Sequence, residues 1–323
     1  MKKTLALILL ITFVFSFGSL AFAQTADATA PAATEEKTAE QIAAEKAAAE
    51  EAAAKEAAAA AVVKNTDART IIFDKNIVEA LPIIALPTTS GSASEVTPFC
   101  VISDKERGIK TSINGKVLYP KAAIVDPELT LTCPPSVTAI SGIDVICHAL
   151  DSIGSVNNNP ISDGLAAQAV RLAFDNLETA FNEGSNITAR ENMALASMTA
   201  GLAFSQTATS GSHAMSYYLT SEFGVPHAEA CAFSLDQWII HNAKVDSRLD
   251  TISQQLGFSS TKDMSKELNA LKQRLGLRMT LEDLGIDKKH IPEIAKQTMA
   301  AGNYKNNLAQ LSESEIISML ESK

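Results

Sequence analysis

The chain lacks the surplus of basic charge that a nucleic-acid-binding surface needs. Its 27 lysines and arginines are outnumbered by 37 aspartates and glutamates, which gives a formal net charge of -10. No run of Lys and Arg interrupts this acidic balance. Because affinity for a phosphate backbone depends on clustered cations, we do not expect nucleic acid as a partner.

Cysteine is scarce, and its spacing excludes the common zinc motifs. None of Cys100, Cys133, Cys147 and Cys231 belongs to a CxxC pair. Two disulfide bonds are arithmetically possible. Scattered single cysteines in a chain of 323 residues are more often small buried hydrophobic residues. We therefore expect buried thiols here and not a disulfide framework.

The first residues do form a long hydrophobic run. MKKTLALILLITFVFSFGSLAFAQ has two lysines, an apolar stretch and an Ala-x-Ala sequence before Gln24. This pattern predicts a signal peptide over residues 1–23, and hence export to the periplasm or the medium. The alternative is an uncleaved membrane anchor, because the apolar stretch is nearly long enough to span a bilayer.

Residues 24–66 have little that could build a hydrophobic core. Ala, Glu, Lys and Thr dominate TAEQIAAEKAAAEEAAAKEAAAAAVV, and these include the strongest helix formers. Glu51 and Lys55 are one example of oppositely charged residues four positions apart, a spacing that supports an isolated helix. We predict a solvated, semi-rigid helical spacer.

The remaining chain divides into a short strand-containing segment and a long helical one. Within residues 67–132, the runs IIALPTT, FCVIS and AAIVDPEL are apolar and bounded by turn residues, which predicts strands. Residues 133–323 carry apolar residues at helical spacing. Asn159 and Asn186 are typical helix starts, Gly184 a helix stop, and Ser312 opens a capping box. The sequence thus predicts a mainly α fold with a small sheet at its N-terminal side.

Asp144 and His148 are the first candidate functional pair. They lie four residues apart in SGIDVICHALDS, which on a helix places a carboxylate and an imidazole on one face. Such a pair can bind one divalent ion, because bonds near 2 Å require convergent side chains. The same spacing also arises by chance, and the commoner result is then a simple hydrogen bond at the surface.

His213 and His227 are the second pair, among only five histidines. On one unbroken helix they would be about 21 Å apart. The Gly-Val-Pro sequence at 224–226 predicts that the helix ends there and that the chain turns back. One carboxylate and three imidazoles would suit Fe(II) or Zn(II). The alternative is a separate structural role for each ring, and we expect His241 and His290 to be structural or surface residues.

Four blocks of sequence together resemble one enzyme family. PTTSGSASEVTP, IVDPELTLTCPP, SGIDVICHALDS and HAMSYYLTSEFGVPH occur in this order. In sequence and spacing they resemble the iron-containing (group III) alcohol dehydrogenases, and the resemblance extends from about Ile71 to the C-terminal end. The resemblance implies a helical metal-binding domain of the dehydroquinate-synthase-like type. It also implies the metal ligands, which would be Asp144, His148, His213 and His227.

The resemblance further implies hydride transfer between NAD or NADP and a small alcohol or aldehyde. Fe²⁺ or Zn²⁺ would polarise the substrate oxygen. In this family the TT-x-G-x-x-x-E block lies along the cofactor, and a lysine in a following turn commonly contacts it. The implied cofactor-binding residues are Thr88, Thr89, Gly91, Ser92 and Lys110.

Tyr217 occupies a position where many members of the family have a histidine with a proton-relay role. A tyrosine hydroxyl can also donate a proton, so Tyr217 is the candidate catalytic residue. The SYxLT sequence around it is similar to sequences of the phosphonoacetaldehyde reductase branch of the family. This similarity makes a small phosphonate aldehyde one candidate substrate.

The N-terminal part departs from the family pattern. A pyrophosphate-binding loop needs glycines, yet none lies between Gly18 and Gly91. We therefore expect residues 67–132 to be a truncated remnant of the nucleotide-binding sheet, with exposed strand edges that favour self-association or a homo-oligomer. Three interpretations stay open: a cytoplasmic dehydrogenase like its family, an exported non-catalytic metal-binding or interaction protein, and an artefactual fusion of reading frames.

Overall fold

The computed structural model describes residues 80–104 and 109–323. The predicted signal peptide (1–23), the predicted spacer (24–66) and the beginning of the predicted sheet remnant (67–79) lie outside the described residues.

Four strands form two small sheets in the described part of the chain. Strand β1 (Ile84–Ala85) pairs in parallel with β4 (Ala122–Ala123), with Ile84 opposite Ala122. Strands β2 (Phe99–Asp104) and β3 (Ile109–Asn114) form an antiparallel hairpin, with Phe99 opposite Asn114. The first and last predicted runs thus contribute only two residues each, because a strand extends only as far as its partner pairs with it.

Helices account for most of the remaining structure. Short 3₁₀ helices cover Lys116–Leu118, Pro127–Thr130, Lys288–His290 and Tyr304–Asn306. The α-helices are α1 (Pro135–Ile153), α2 (Pro160–Asn182), α3 (Ile187–Thr207), α4 (Gly211–Phe223), α5 (His227–Val245), α6 (Arg248–Gln255), α7 (Thr261–Arg274), α8 (Ile291–Ala300) and α9 (Glu313–Glu321). The predicted fold class, mainly α with sparse strands, is confirmed.

Helix α1 lies at the centre of the helical region. It is long and apolar enough to cross a membrane, but 83% of its most apolar window is buried inside the fold. It packs against α2, α3 and α5 in a hydrophobic cluster rich in alanine. Small side chains such as Ala166, Ala169 and Ala173, all fully buried, fill the space between helices without forcing them apart. Helix α1 is therefore a core helix, and the candidate residues Asp144 and His148 lie on it.

The predicted helix boundaries are confirmed. Asn159 caps α2 in a reciprocal capping box, and Asn186 caps α3 by accepting a hydrogen bond from the Ala189 amide. Ser312 opens α9 with a second capping box. Helix α2 ends at Asn182, two residues before Gly184. Side chains at these boundaries satisfy amides that a helix start leaves without partners.

Candidate metal and cofactor site

Asp144 and His148 lie on one face of α1, as their spacing predicts. The nearest atoms of the pair, Asp144 Oδ2 and His148 Nδ1, are 3.8 Å apart. Both side chains are buried, with 5% and 6% of their residue surface exposed. A buried carboxylate is costly unless a cation or hydrogen-bond donors balance it. The pair is therefore not the exposed surface contact that was the alternative.

His213 and His227 come together because helix α4 ends where the sequence predicts. The helix stops at Phe223, and Gly224 closes it in the left-handed conformation with φ of 67°. His227 is then the first residue of α5. The centroids of the His213 and His227 rings are 5.4 Å apart. The turn thus brings together two rings that an unbroken helix would hold far apart.

Three of these four residues meet Cys231 in one cluster, which is buried except for the half-buried His227. Nε2 of His213 lies 3.7 Å from Oδ1 of Asp144. Asp144, His213, His227 and Cys231 each offer a ligand atom, and these four atoms lie within 4.8 Å of one another. His148 lies beside this group, with its ring stacked on His213 at a centroid distance of 4.7 Å.

Two atoms of the cluster fit a metal ion. Oδ1 of Asp144 and Nε2 of His213 are buried and have no hydrogen-bond partner among residues 80–104 and 109–323. A carboxylate oxygen and an imidazole nitrogen that face each other across 3.7 Å suit two ligands of one divalent ion. Carboxylate, imidazole and thiol donors together are ligands that Fe(II) and Zn(II) accept. The residues present therefore fit the metal that the resemblance implies.

The pKa values of His148 and His213 are shifted in opposite directions. Burial lowers the pKa of His148 to about 4, so this ring is neutral at pH 7. Burial also opposes protonation of His213, but Cys231 and the hydrogen bond to Asp151 outweigh it and raise the pKa of His213 well above its usual value. The surroundings of His213 thus favour positive charge, which a divalent cation would also supply.

Cys231 and Asp151 are members of this site that the sequence analysis did not identify. Cys231 follows His227 by four residues on α5, the same spacing that singled out Asp144 and His148. Asp151 follows Asp144 by seven residues on α1, which is two helical turns on the same face. Both spacings were available in the sequence.

The segment with the predicted cofactor residues packs directly against the metal cluster. The carbonyl oxygen of Gly91 accepts a hydrogen bond of 3.3 Å from Nδ1 of His148. A Cβ atom at Gly91 would lie 2.4 Å from the Ser141 carbonyl oxygen, so only glycine allows this close approach to α1. The Gly91 backbone therefore joins the Thr88–Ser92 segment to a candidate metal ligand.

The other predicted cofactor residues lie in two places. Thr88 and Thr89 are half-buried, and the Ser92 hydroxyl lies 3.3 Å from that of Ser94. Thr89 and Ser90 line a small cavity together with Thr138 and Arg190. Lys110 lies in strand β3 with Ser103 opposite, and its side chain is outside the described residues.

Tyr217 lies one helical turn after His213 on α4. Its ring stacks on that of His227 at a centroid distance of 6.4 Å and an interplanar angle of 23°. Burial raises the pKa of Tyr217, so the hydroxyl keeps its proton at neutral pH. The structure thus places the candidate proton donor against a candidate metal ligand.

Comparison with known proteins identifies relatives across the described residues. The model of the Fe-containing alcohol dehydrogenase family, C-terminal, matches residues 138–323, and that of iron-containing alcohol dehydrogenase matches residues 42–127. The 1-propanol dehydrogenase PduQ of Salmonella typhimurium strain LT2 is 39% identical over 214 residues, 64% of this chain and 58% of that protein. The 1,3-propanediol dehydrogenase of Klebsiella pneumoniae is 34% identical over 244 residues, 73% of this chain and 63% of that protein. This chain thus spans less than two thirds of the length of both.

A solved structure has a similar fold. The sulfoacetaldehyde reductase from Bifidobacterium kashiwanohense, solved in complex with NAD⁺, superposes with a TM-score of 0.79 and 36% sequence identity. The alignment covers 84% of this chain and 73% of that one.

Proposed function

Because the chain belongs to the iron-containing alcohol dehydrogenase family, we propose that it catalyses hydride transfer between NAD or NADP and a small alcohol or aldehyde. The observation that carries this proposal is the juxtaposition of a buried donor cluster with the Thr88–Ser92 segment. His148 connects the two, since it lies next to Asp144 and donates a hydrogen bond to the Gly91 carbonyl. A metal-polarised substrate and a nicotinamide ring have to meet at such a junction.

We propose that Asp144, His148, His213 and His227 hold the divalent ion, Fe²⁺ or Zn²⁺. When bound, the ion would polarise the substrate carbonyl and stabilise negative charge that develops on its oxygen. Helices α1, α4 and α5 hold these side chains, of which Asp144, His148 and His213 are buried and His227 is half-buried. Burial excludes water from the first three and strengthens the electrostatic interactions among them. Cys231 lies close enough to contribute a ligand once its thiol has lost its proton, and a thiolate ligand would favour Zn²⁺.

The remaining candidate residues would bind the cofactor and deliver a proton. The dinucleotide would donate or accept the hydride. Thr88, Thr89, Gly91, Ser92 and Lys110 are the proposed cofactor contacts. Tyr217 would donate a proton to the substrate oxygen during reduction, since burial keeps its hydroxyl protonated at neutral pH.

The substrate class is proposed from the relatives. Those described above are named for 1-propanol, 1,3-propanediol and sulfoacetaldehyde. These names support a small aliphatic aldehyde or alcohol. The SYxLT sequence around Tyr217 supports a short aldehyde with a phosphonate group as one candidate.

The experiment is an assay of NADH and NADPH oxidation with propionaldehyde, sulfoacetaldehyde and phosphonoacetaldehyde. The full chain would be loaded with Fe²⁺ or Zn²⁺, and Asp144→Asn compared with Asp175→Asn, a change of an exposed carboxylate on α2. We expect turnover by the parent and by Asp175→Asn, and a loss of at least about 100-fold in Asp144→Asn. No oxidation by a folded, metal-loaded parent chain would overturn the proposal.

The N-terminal sequence favours a second proposal, an exported metal-binding protein without catalysis. Its support is the leader pattern of residues 1–23 and the lack of glycine between Gly18 and Gly91. Cell fractionation with mass spectrometry of the mature N-terminus tests export. A periplasmic chain that begins at Gln24, binds metal and oxidises no NADH or NADPH would support this second function over the first.

A further inference from the structure

Each of the three clustered imidazoles has its Nδ1 atom next to an oxygen. Nδ1 of His148 lies 3.3 Å from the Gly91 carbonyl oxygen. Nδ1 of His213 lies 2.8 Å from Oδ2 of Asp151, and Nδ1 of His227 lies 3.3 Å from Oγ of Ser216. The same ring atom is thus engaged in all three cases.

The chemistry of these oxygens decides which atom donates. A carbonyl and a carboxylate only accept, so Nδ1 of His148 and of His213 each carry a hydrogen. The Ser216 hydroxyl donates its hydrogen to the His213 carbonyl at 2.8 Å, and therefore accepts from His227. With Nδ1 occupied in this way, Nε2 is the ring atom that His213 and His227 can offer to a metal.

Asp151 differs from the other two acceptors because it is charged. Only 2% of its surface is exposed, and donors surround it. Its Oδ2 also accepts from the Ser210 amide at 2.8 Å, and its Oδ1 accepts from the Ser212 hydroxyl at 2.9 Å. These bonds fix the carboxylate in place, so the orientation of the His213 ring is fixed as well.

We propose that Asp151 is a positioning residue for the metal site, which holds His213 as the Nδ1–H tautomer with Nε2 directed at Asp144. A carboxylate behind an imidazole also makes the opposite nitrogen a stronger ligand. The inference rests on the proposed metal site and adds a residue that binds no metal itself. A purely structural role is the competing explanation, because Asp151 accepts hydrogen bonds from the amide of Ser210, just before α4, and from that of His213 in the first turn, and so acts as a helix cap.

Zn²⁺ affinity separates the two roles. The full chain would be titrated with Zn²⁺ against a chromophoric chelator, for the parent, Asp151→Asn and Asp163→Asn. Asp151→Asn keeps an oxygen acceptor and the shape of the side chain but removes the charge. Asp163→Asn makes the same change on α2, where the carboxylate pairs with Arg248. We expect Zn²⁺ binding about 10- to 100-fold weaker in Asp151→Asn and unchanged in Asp163→Asn.

A second measurement needs no variant of Asp151. Long-range ¹H–¹⁵N spectra of the histidine-labelled, Zn²⁺-loaded parent chain report which ring nitrogen carries the hydrogen, with His213 assigned from a His213→Gln sample. We expect the hydrogen on Nδ1. A hydrogen on Nε2, or a folded Asp151→Asn chain with parental Zn²⁺ affinity, would overturn the inference. Failure of the parent chain to bind Zn²⁺ would instead overturn the proposed metal site.

Discussion

Tyr217 gives the sharpest test at the scale of single residues. Its hydroxyl is the proposed proton donor, and its ring stacks on His227. We predict that Tyr217→Phe lowers kcat for aldehyde reduction by at least about 100-fold, because the proton donor is lost. Bound metal should remain, since the phenyl ring still fills the same space. Steady-state kinetics and elemental analysis on one sample measure both quantities.

Tyr218 provides the matched control for this prediction. It is the next residue on α4, and its ring packs edge-on against Phe223 at 5.8 Å. Tyr218→Phe removes the same atom from a neighbouring position, and we expect kcat to stay at the parental level. Equal kcat in both variants would remove Tyr217 from the proposed mechanism.

Part of the site could be predicted from single residues and part could not. The spacing of Asp144 and His148 and the Gly-Val-Pro break before His227 are local signals, and the structure shows the local geometry that each predicts. The partnership of His213 with Asp151 joins residues 62 positions apart in sequence. It depends on how α4 packs beside α1, and no local pattern contains that information.

At the scale of elements, the turn between α4 and α5 is the segment that brings His227 to His213. Gly224 has φ of 67°, and an added Cβ would meet nothing within 4 Å. The cost in stability of adding a side chain at Gly224 would therefore come from the left-handed backbone conformation alone. We predict that Gly224→Ala lowers the free energy of unfolding by about 1–2 kcal/mol in urea titrations.

Gly164 is the matched glycine for this measurement. It lies inside α2, and an added Cβ there also meets nothing within 4 Å. Because Ala is the better helix former, Gly164→Ala should raise the free energy of unfolding by about 0.5–1 kcal/mol. A shift of the same sign in both variants would contradict this account of the turn.

Helix boundaries were the most predictable elements, because caps at Asn159, Asn186 and Ser312 are local hydrogen-bond signals. The conformation of Ala208, in contrast, could not be predicted from a local signal. This residue follows α3 with φ of 59° and ψ of 173°, a conformation that favours glycine. Nothing in the sequence marks an alanine for this conformation.

At the scale of the whole molecule, a buried ion cluster ties α5 to α7 and to Lys323, which follows α9. Lys272 is 1% exposed, and its Nζ lies 3.0 Å from Oδ1 of Asp236. Nζ of Lys323 lies 2.7 Å from the same oxygen. We predict that Asp236→Ala lowers the free energy of unfolding by about 3–5 kcal/mol, because it leaves buried positive charge without a partner.

An exposed ion pair serves as the comparison. Glu178 and Arg274 also join two helices, α2 and α7, but their side chains are 40% and 42% exposed. Glu178→Ala should cost less than about 1 kcal/mol in the same urea titration. Equal losses in both variants would show that burial of the Asp236 cluster contributes nothing to stability.

The mainly α fold could be predicted because helical periodicity and caps recur along residues 133–323. The short strands were harder to predict, since strand length depends on which segments pair. Ile84–Ala85 pairs with a segment almost 40 positions later, Ala122–Ala123. Such long-range pairing leaves no local signal for where a strand ends.

Metal stoichiometry of the purified full chain tests the central claim most directly. Elemental analysis would compare the parent with His213→Ala and with His241→Ala, a histidine on α5 outside the cluster. We predict about one Fe or Zn per chain in the parent and in His241→Ala, and a loss of most of that metal in folded His213→Ala. Equal metal content in both variants, or none in a folded parent chain, would contradict the account.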